Sequence, residues 1–239
     1  MLCLLDQDSF TFPDPQHALD EPNGLLAVGG DLQPERILEA YRLGIFPWYE
    51  EGQPILWWSP DPRMVLFPDE LHVSRSLRKA LKKHALNITV DSSFDAVITA
   101  CAEKRPYAAG TWITRAVKQA YSQLFTAGYA HSVEVWDGDE LVGGLYGLVL
   151  GKVFYGESMF SRRDNVSKIA FYYLVRHLQL WEYEIIDCQV ASHFLAGFGA
   201  REISREAFQR FLPAQQQLDV PSGWAANWDC RRFQSAPGH

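Results

Sequence analysis

The chain has 239 residues, of which 47% are hydrophobic and 21% are charged, a composition that excludes a wholly disordered protein. The formal net charge of −7 excludes a protein that coats nucleic acid with an overall basic surface, but it does not exclude a local basic face. The four cysteines are far apart in sequence and the seven histidines lack metal-ligand spacing, so we expect neither a disulfide framework nor a metal site.

The chain begins with a short apolar stretch that lacks the features of a signal peptide. Residues 1–6 carry no basic side chain, and the apolar run ends at Asp6. Nowhere does the sequence contain the roughly 18 consecutive apolar residues that a membrane-spanning helix needs. We therefore expect a cytoplasmic protein with no membrane partner.

The first 62 residues differ in composition from the rest of the chain. They contain eight of the 13 prolines, which disfavours long helices and central strands. One helix is predicted, beginning at Asp31 or Pro34 and ending at Gly44. We predict a small irregular domain over residues 1–62 and a second domain over residues 63–239.

The elements after residue 62 are more regular. Hydroxyl side chains at Ser74, at Ser92 or Ser93, and at Thr114 are predicted to cap three helices with apolar stripes. The elements predicted next are strands over 132–136, 141–150 and 153–157, a helix over 165–180 and a strand over 184–190. This order predicts an α+β fold with a mixed, mostly antiparallel sheet, and it matches the acetyltransferase-like (GNAT) architecture.

A stretch close to the predicted domain boundary is unusually aromatic. Five aromatic residues fall within 13 positions, namely Phe46, Trp48, Tyr49, Trp57 and Trp58. Such side chains form either a surface on which nucleobases stack or the aromatic core of a small domain. The pattern itself favours neither interpretation.

One predicted helix is strongly basic within this acidic chain. Its five cations, on the face opposite Leu77 and Leu81, are Arg75, Arg78, Lys79, Lys82 and Lys83. Charge segregated in this way indicates either contact with a phosphate backbone or a solvated helix face. The aromatic residues nearby in sequence favour RNA.

A predicted internal strand carries two polar side chains, Asp187 and Gln189. In a regular strand, residues two apart project from the same face. Burying a carboxylate among apolar neighbours is unfavourable unless it has partners. The pair therefore indicates either a functional site or a structural hydrogen-bond network.

The segment before the long predicted helix argues against coenzyme A. An acetyltransferase of this architecture carries a glycine-rich turn there to hold the pyrophosphate, whereas residues 161–168 contain no glycine. We therefore expect no cofactor.

Several long and unusual runs resemble the leucyl/phenylalanyl-tRNA–protein transferase family. In chain order they are Glu21–Leu32, Gly44–Trp48, Trp57–Arg63, Gly110–Thr114, His131–Trp136, Gly156–Ser161 and Ile186–Gln189. The resemblance as a whole extends over about nine-tenths of the chain, and the tail beyond Leu212 matches poorly. Leu145, where a related sequence has Met, and Ala116, in place of a Gly, depart from the family pattern.

The resemblance implies an enzyme that transfers Leu or Phe, and also Met, from aminoacyl-tRNA to proteins with N-terminal Arg or Lys, marking them for degradation. It implies that the terminal adenosine of the tRNA lies between Trp48 and Trp112, and that the basic helix holds the acceptor stem. It also implies an amino-acid pocket formed by Leu145, Phe154, Met159 and Ile186, with Glu157 and Ser161 at its edge.

The implied reaction is attack of a free α-amine on an ester, which mainly requires orientation and the handling of one proton. We hypothesise that Gln189 hydrogen-bonds the attacking amine and that Asp187 increases its nucleophilicity, directly or through Gln189. One alternative is a non-catalytic RNA-binding protein, for which this polar pair has no purpose. Another is a coenzyme-A-dependent N-acyltransferase, which the missing pyrophosphate-binding turn disfavours.

Overall fold

The computed structural model describes residues 2–83, 86–103, 111–217 and 223–233. The elements before residue 62 are β1 (Cys3–Leu5), β2 (Leu25–Gly29), α1 (Pro34–Arg42), β3 (Phe46–Pro47) and β4 (Leu56–Trp58). Those that follow, up to the long helix, are β5 (Arg63–Leu66), α2 (Arg75–Lys83), β6 (Asn87–Val90), α3 (Phe94–Ala102), α4 (Arg115–Thr126), β7 (Ala130–Asp137), β8 (Glu140–Leu150), β9 (Val153–Ser161) and α5 (Val166–Leu180). The last are β10 (Ile185–Gln189), α6 (His193–Ala196), β11 (Arg201–Ile203), α7 (Arg205–Gln216) and α8 (Trp224–Asn227).

The strands form two sheets. The smaller sheet has the order β1-β2-β4-β3, and the larger has the order β11-β5-β10-β9-β8-β7-β6. In the larger sheet, β10 is parallel to β9, and all other neighbours are antiparallel. The predicted α+β class with a mixed, mostly antiparallel sheet is therefore confirmed, whereas the acetyltransferase-like architecture stays a prediction.

Local sequence signals account for most of the helices. The Ser74 hydroxyl accepts a hydrogen bond from the backbone N–H of Leu77, and the Thr114 hydroxyl accepts one from that of Val117, each at 3.2 Å. These are the predicted N-caps of α2 and α4. The predicted meander is also present as β7, β8 and β9. The sequence pattern did not indicate the strands β1 to β4 of the smaller sheet, in a region expected to be irregular. It also did not indicate the short strands β5, β6 and β11 or the helices α6 to α8.

The larger sheet separates two hydrophobic cores. On one face, α5 packs against side chains that include Leu145, Phe154 and Ile186. On the other face, α1, α3, α4 and α7 pack with the smaller sheet in one cluster that joins Trp57 to Val65. This core runs across residue 62, so the predicted two-domain boundary stays a prediction.

No helix within the described ranges has the length and apolar character required to cross a membrane. Cys3, Cys101, Cys188 and Cys230, all within the described ranges, form no disulfide bond.

Candidate active site

A cavity of about 710 Å³ lies beside the parallel strands β9 and β10. Pockets for small ligands have volumes of roughly 300–1,000 Å³. Every residue predicted for the amino-acid pocket lines it, together with both predicted catalytic residues: Leu145, Phe154, Glu157, Met159, Ser161, Ile186, Asp187 and Gln189. Further apolar residues that no sequence pattern had indicated also line the cavity from α5 and α6, namely Phe171, Leu174, Phe194 and Leu195.

A second cavity, of about 500 Å³, adjoins the first. The two share Cys101, Glu103, Trp112 and Ser158 as lining residues, and Trp48 and Trp58 line the second one. The Trp48 side chain is 46% exposed, and its ring centroid is 5.7 Å from that of Trp58. The two tryptophans assigned to the adenosine, Trp48 and Trp112, therefore line one cavity.

The rest of the aromatic stretch belongs to the core. Trp57 is fully buried and donates its indole N–H to the Gly29 carbonyl oxygen at 2.9 Å. Tyr49 and Phe46 are also buried. The two interpretations of this stretch thus apply to different residues, since its buried members form a core and Trp48 and Trp58 face a cavity.

Asp187 is bound by an arginine that the sequence analysis did not assign to the site. The Arg63 guanidinium donates to both carboxylate oxygens, at 2.8 and 2.6 Å, and both side chains are almost completely buried. The guanidinium also lies between the rings of Phe46 and Phe208, with centroids at 4.8 and 4.9 Å. The sequence feature that could have indicated this role is a charged residue, Arg63, at the first position of the buried strand β5.

The strand that carries Asp187 and Gln189 is not regular. Its register shifts between these two residues, and Gln189 has a left-handed backbone with φ of 64°. The Asp187 carboxylate accepts a hydrogen bond from the Gln189 backbone N–H at 2.9 Å. The Gln189 side chain donates to Glu157 at 3.2 Å. The expected simple alternation therefore does not hold, and a bulge aims Gln189 at the neighbouring strand.

A second bulge places Glu157. Tyr146 pairs with Ser158 and Gly147 pairs with Gly156, so Glu157 is the extra residue of β9. In a regular strand, residues an odd number apart project from opposite faces. The bulge reverses this alternation, which explains why Phe154 and Met159 line the same pocket.

Two tyrosines surround the Glu157 carboxyl group. The Tyr41 hydroxyl donates to it at 2.6 Å and the Tyr121 hydroxyl at 3.0 Å, and the two hydroxyl oxygens are 2.8 Å apart. Loss of hydration raises the pKa of Glu157 from 4.5 to about 7, partly offset by the hydrogen bonds from Tyr41 and Tyr121. In the sequence, both tyrosines fall on apolar helix stripes, a pattern that predicts burial and gives no role to their hydroxyls.

Comparisons with known proteins identify the family. A family model described as leucyl/phenylalanyl-tRNA protein transferase matches residues 65–213, and the model of its N-terminal domain matches residues 30–61. The leucyl/phenylalanyl-tRNA–protein transferase of Ectopseudomonas mendocina (strain ymp) is 58% identical over 95% of this chain and 99% of its own length. That of Cellvibrio japonicus (strain Ueda107) is 58% identical over 94% of this chain and 96% of its own. The chain belongs to this family.

The transferase is thus an aminoacyltransferase that uses aminoacyl-tRNA. Its fold also has remote likenesses among solved structures. A functionally unknown conserved protein from Staphylococcus epidermidis ATCC 12228 has a TM-score of 0.41 and 11% identity, over 75% of this chain and 68% of its own. L-PGS from Bacillus licheniformis has a TM-score of 0.39 and 10% identity, over 70% of this chain and 54% of its own.

The basic helix of the transferase is α2. Leu77 and Ala80 are buried and Leu81 is half-buried, whereas Arg75, Arg78, Lys79 and Lys82 are exposed. The side chain of Lys83 lies outside what the structure describes. Within the described part of the chain, no ion pair joins these four exposed cations to a carboxylate. The four cations thus form an exposed basic face on α2.

Proposed function

We propose that the transferase moves Leu or Phe, and also Met, from aminoacyl-tRNA to the α-amino group of proteins with N-terminal Arg or Lys. The observation that carries this proposal is the pair of adjoining cavities, one with apolar walls and one with tryptophans. An aminoacyl-adenosine has the same two parts, an apolar side chain and a flat base. We further propose the acetyltransferase-like arrangement, with domains over 1–62 and 63–239, and a cytoplasmic location.

The apolar cavity accounts for the choice of amino acid. Its walls include Leu145, Phe154 and Ile186, which are almost fully buried, and Met159, whose flexible thioether adapts to different side chains. An apolar pocket distinguishes one methylene by only about 1–3 kcal/mol. We therefore expect a graded preference among Leu, Phe and Met rather than strict selection.

The tryptophan-lined cavity and α2 bind the tRNA. Stacking of one base on an aromatic side chain is worth about 1–3 kcal/mol, so Trp48 and Trp112 hold the terminal adenosine. The cations of α2 contact phosphates of the acceptor stem, which orients the nucleic acid without reading its sequence. The acceptor protein gains a new N-terminal Leu or Phe, and we propose that this residue marks it for degradation.

The polar residues of the cavity bind and orient the amine of the acceptor protein. We assign Gln189 to hydrogen-bond the attacking nitrogen. Asp187 acts through Gln189, because its carboxylate fixes the Gln189 backbone while both of its oxygens hold Arg63. This arrangement supplies orientation, which can lower a barrier by about 7–11 kcal/mol.

The proposal is tested by transfer of radiolabelled leucine from Leu-tRNA to a protein that begins with Arg, beside the same protein beginning with Gly. We expect label on the Arg form only. Transfer to both forms would contradict the acceptor rule. Tight binding of tRNA without transfer to either form would favour the non-catalytic RNA-binding alternative, and tight binding of acetyl-coenzyme A in calorimetry would favour the other alternative.

A further inference from the structure

Peptide-bond formation moves one proton from the attacking amine to the departing ribose oxygen, and the amino-acid cavity offers few groups to carry it. Within the described residues, its carboxyl groups are those of Glu103, Glu157 and Asp187, and its thiols are those of Cys101 and Cys188. Burial raises the pKa of the Cys188 thiol far above neutrality. Glu103 is 58% exposed and pairs with Arg162 at 2.8 Å. Both oxygens of Asp187 hold the Arg63 guanidinium.

Glu157 differs from these groups because its ring of hydrogen bonds needs one more hydrogen than its two tyrosine partners supply. It forms a closed ring of three oxygen contacts with Tyr41 and Tyr121, at 2.6, 2.8 and 3.0 Å. Two tyrosine hydroxyls supply two hydrogens. When both donate to a carboxylate, the contact between the hydroxyl oxygens contains no hydrogen. A carboxyl proton on Glu157 completes the ring if Tyr121 then donates to Tyr41.

The charged groups around the ring have opposite effects on the pKa of Glu157. Asp187, on β10, raises the pKa of Glu157 and Arg63, on β5, lowers it, while Gln189 donates to its carboxyl group. The Tyr146 hydroxyl, on β8, also interacts electrostatically with this carboxyl group. With a pKa of about 7, Glu157 exchanges its proton readily at neutral pH.

We propose that Glu157, completed by Tyr41 and Tyr121, is the proton carrier of the transfer reaction. This inference rests on the proposed function and deepens it. The amine nitrogen forms a bond with the ester carbonyl carbon, and the bond from that carbon to the ribose oxygen breaks. The neutral carboxyl group gives its proton to the departing oxygen, and the resulting carboxylate accepts the proton that the nitrogen loses. No further reactant is needed, and Asp187 is a positioning residue.

The variant Glu157→Gln separates proton transfer from structure. An amide has the shape of a neutral carboxyl group and offers both a donor and an acceptor, so the ring and the cavity stay intact. We expect kcat for leucine transfer to fall by about 10²–10⁴-fold, the range that general acid–base catalysis contributes, with little change in KM for Leu-tRNA. Glu134→Gln is the matched control, since Glu134 is a buried, hydrogen-bonded glutamate away from the cavity.

Infrared difference spectroscopy provides a readout independent of activity. The wild-type protein is expected to show the C=O band of a neutral carboxyl group that disappears as the pH rises through about 7. This band is absent from Glu157→Gln. Tyr121→Phe removes a hydrogen bond to the carboxylate, so it should move the titration to higher pH. Tyr183→Phe, a change at another buried tyrosine, should leave it in place.

Two results would overturn the inference. One is a wild-type spectrum with no carboxyl group that titrates near neutral pH, and the other is wild-type kcat in Glu157→Gln. If the band is present but the wild-type protein transfers no leucine, the proposed function itself fails, and the proton role fails with it.

Discussion

Two carboxyl groups on neighbouring strands, Asp187 on β10 and Glu157 on β9, have opposite environments. Asp187 is paired with a guanidinium that neutralises its charge. Glu157 is surrounded by hydroxyl groups, and no cation contacts it among the described residues. Two acids held in such different environments are suited to different roles in one reaction. Under the proposed mechanism, Asp187 organises the site and Glu157 exchanges a proton.

Arg63→Met is expected to unfold the site. The substitution leaves the Asp187 carboxylate buried without its partner, and breaking a buried ion pair in this way costs about 3–5 kcal/mol of stability. Urea unfolding measures the loss. Arg210→Met is the control, because the pair of Arg210 with Glu206 is exposed and such pairs contribute at most about 1 kcal/mol. Equal losses in the two variants would contradict a structural role for Arg63.

The raised pKa of Glu157 predicts that the wild-type protein loses stability as the pH rises. Between 4.5 and about 7 the unfolded chain has released this proton and the folded protein still binds it, so the unfolding free energy falls with pH. The fall approaches about 3 kcal/mol relative to Glu157→Gln, which does not titrate. Urea unfolding of both proteins at pH 5 and pH 8 tests this. A constant difference between them would contradict the shifted pKa.

At the scale of elements, the sequence predicted what local patterns determine. The hydroxyl caps of α2 and α4 and the apolar stripes of the helices lie within single segments, as does the meander of β7, β8 and β9. Ser93 occupies the predicted N-cap position of α3, but its side chain makes no capping hydrogen bond. The strands β5, β6 and β11 have three or four residues each, too few for a periodic signal. They form because they pair with strands that lie far away in the chain, which no local pattern can indicate.

The same distinction applies to the site. Asp187 stood out as an acid within an apolar strand, but its partner Arg63 lies 124 positions away. Tyr41 and Tyr121 fitted apolar stripes, which describe burial and say nothing of a hydroxyl's partner. The bulge at Glu157 changes which side chains share a face, so only the family resemblance placed Phe154 and Met159 in one pocket.

The basic helix α2 gives a prediction about salt. Changing Arg78, Lys79 and Lys82 to Gln should weaken tRNA binding and lower the slope of log Kd against log salt by about 2–3, since each phosphate contact contributes roughly 0.7–0.9. Filter binding at several salt concentrations measures this. The double variant Arg42→Gln/Arg210→Gln is the control, because Glu39 and Glu206 already neutralise these arginines. An unchanged slope in the α2 variant would place the acceptor stem elsewhere.

At the scale of the whole molecule, the C-terminal segment packs against residues of the sheet, among them one that lines the amino-acid cavity. The Trp224 side chain is 3% exposed and stacks on His131, at 4.1 Å between ring centroids, and on the pocket residue Phe154, at 6.0 Å. Trp228 stacks on the buried ring of His177 at 3.7 Å. This burial lowers the pKa of His177 to about 4. Residues 223–233 thus complete the core that α5 forms with the sheet.

Ending the chain after residue 222 should therefore destabilise the transferase. Loss of one buried tryptophan costs about 3–5 kcal/mol, and this truncation removes Trp224 together with the stacking partner of His177. Urea unfolding measures the loss, and NMR titration should show the pKa of His177 rising from about 4 towards its ordinary 6.5, because the ring regains water. Ending the chain after residue 233 removes none of these contacts and is the matched control. A truncated protein with wild-type stability and an unchanged His177 pKa would show that the sheet and α5 hold the pocket without this segment.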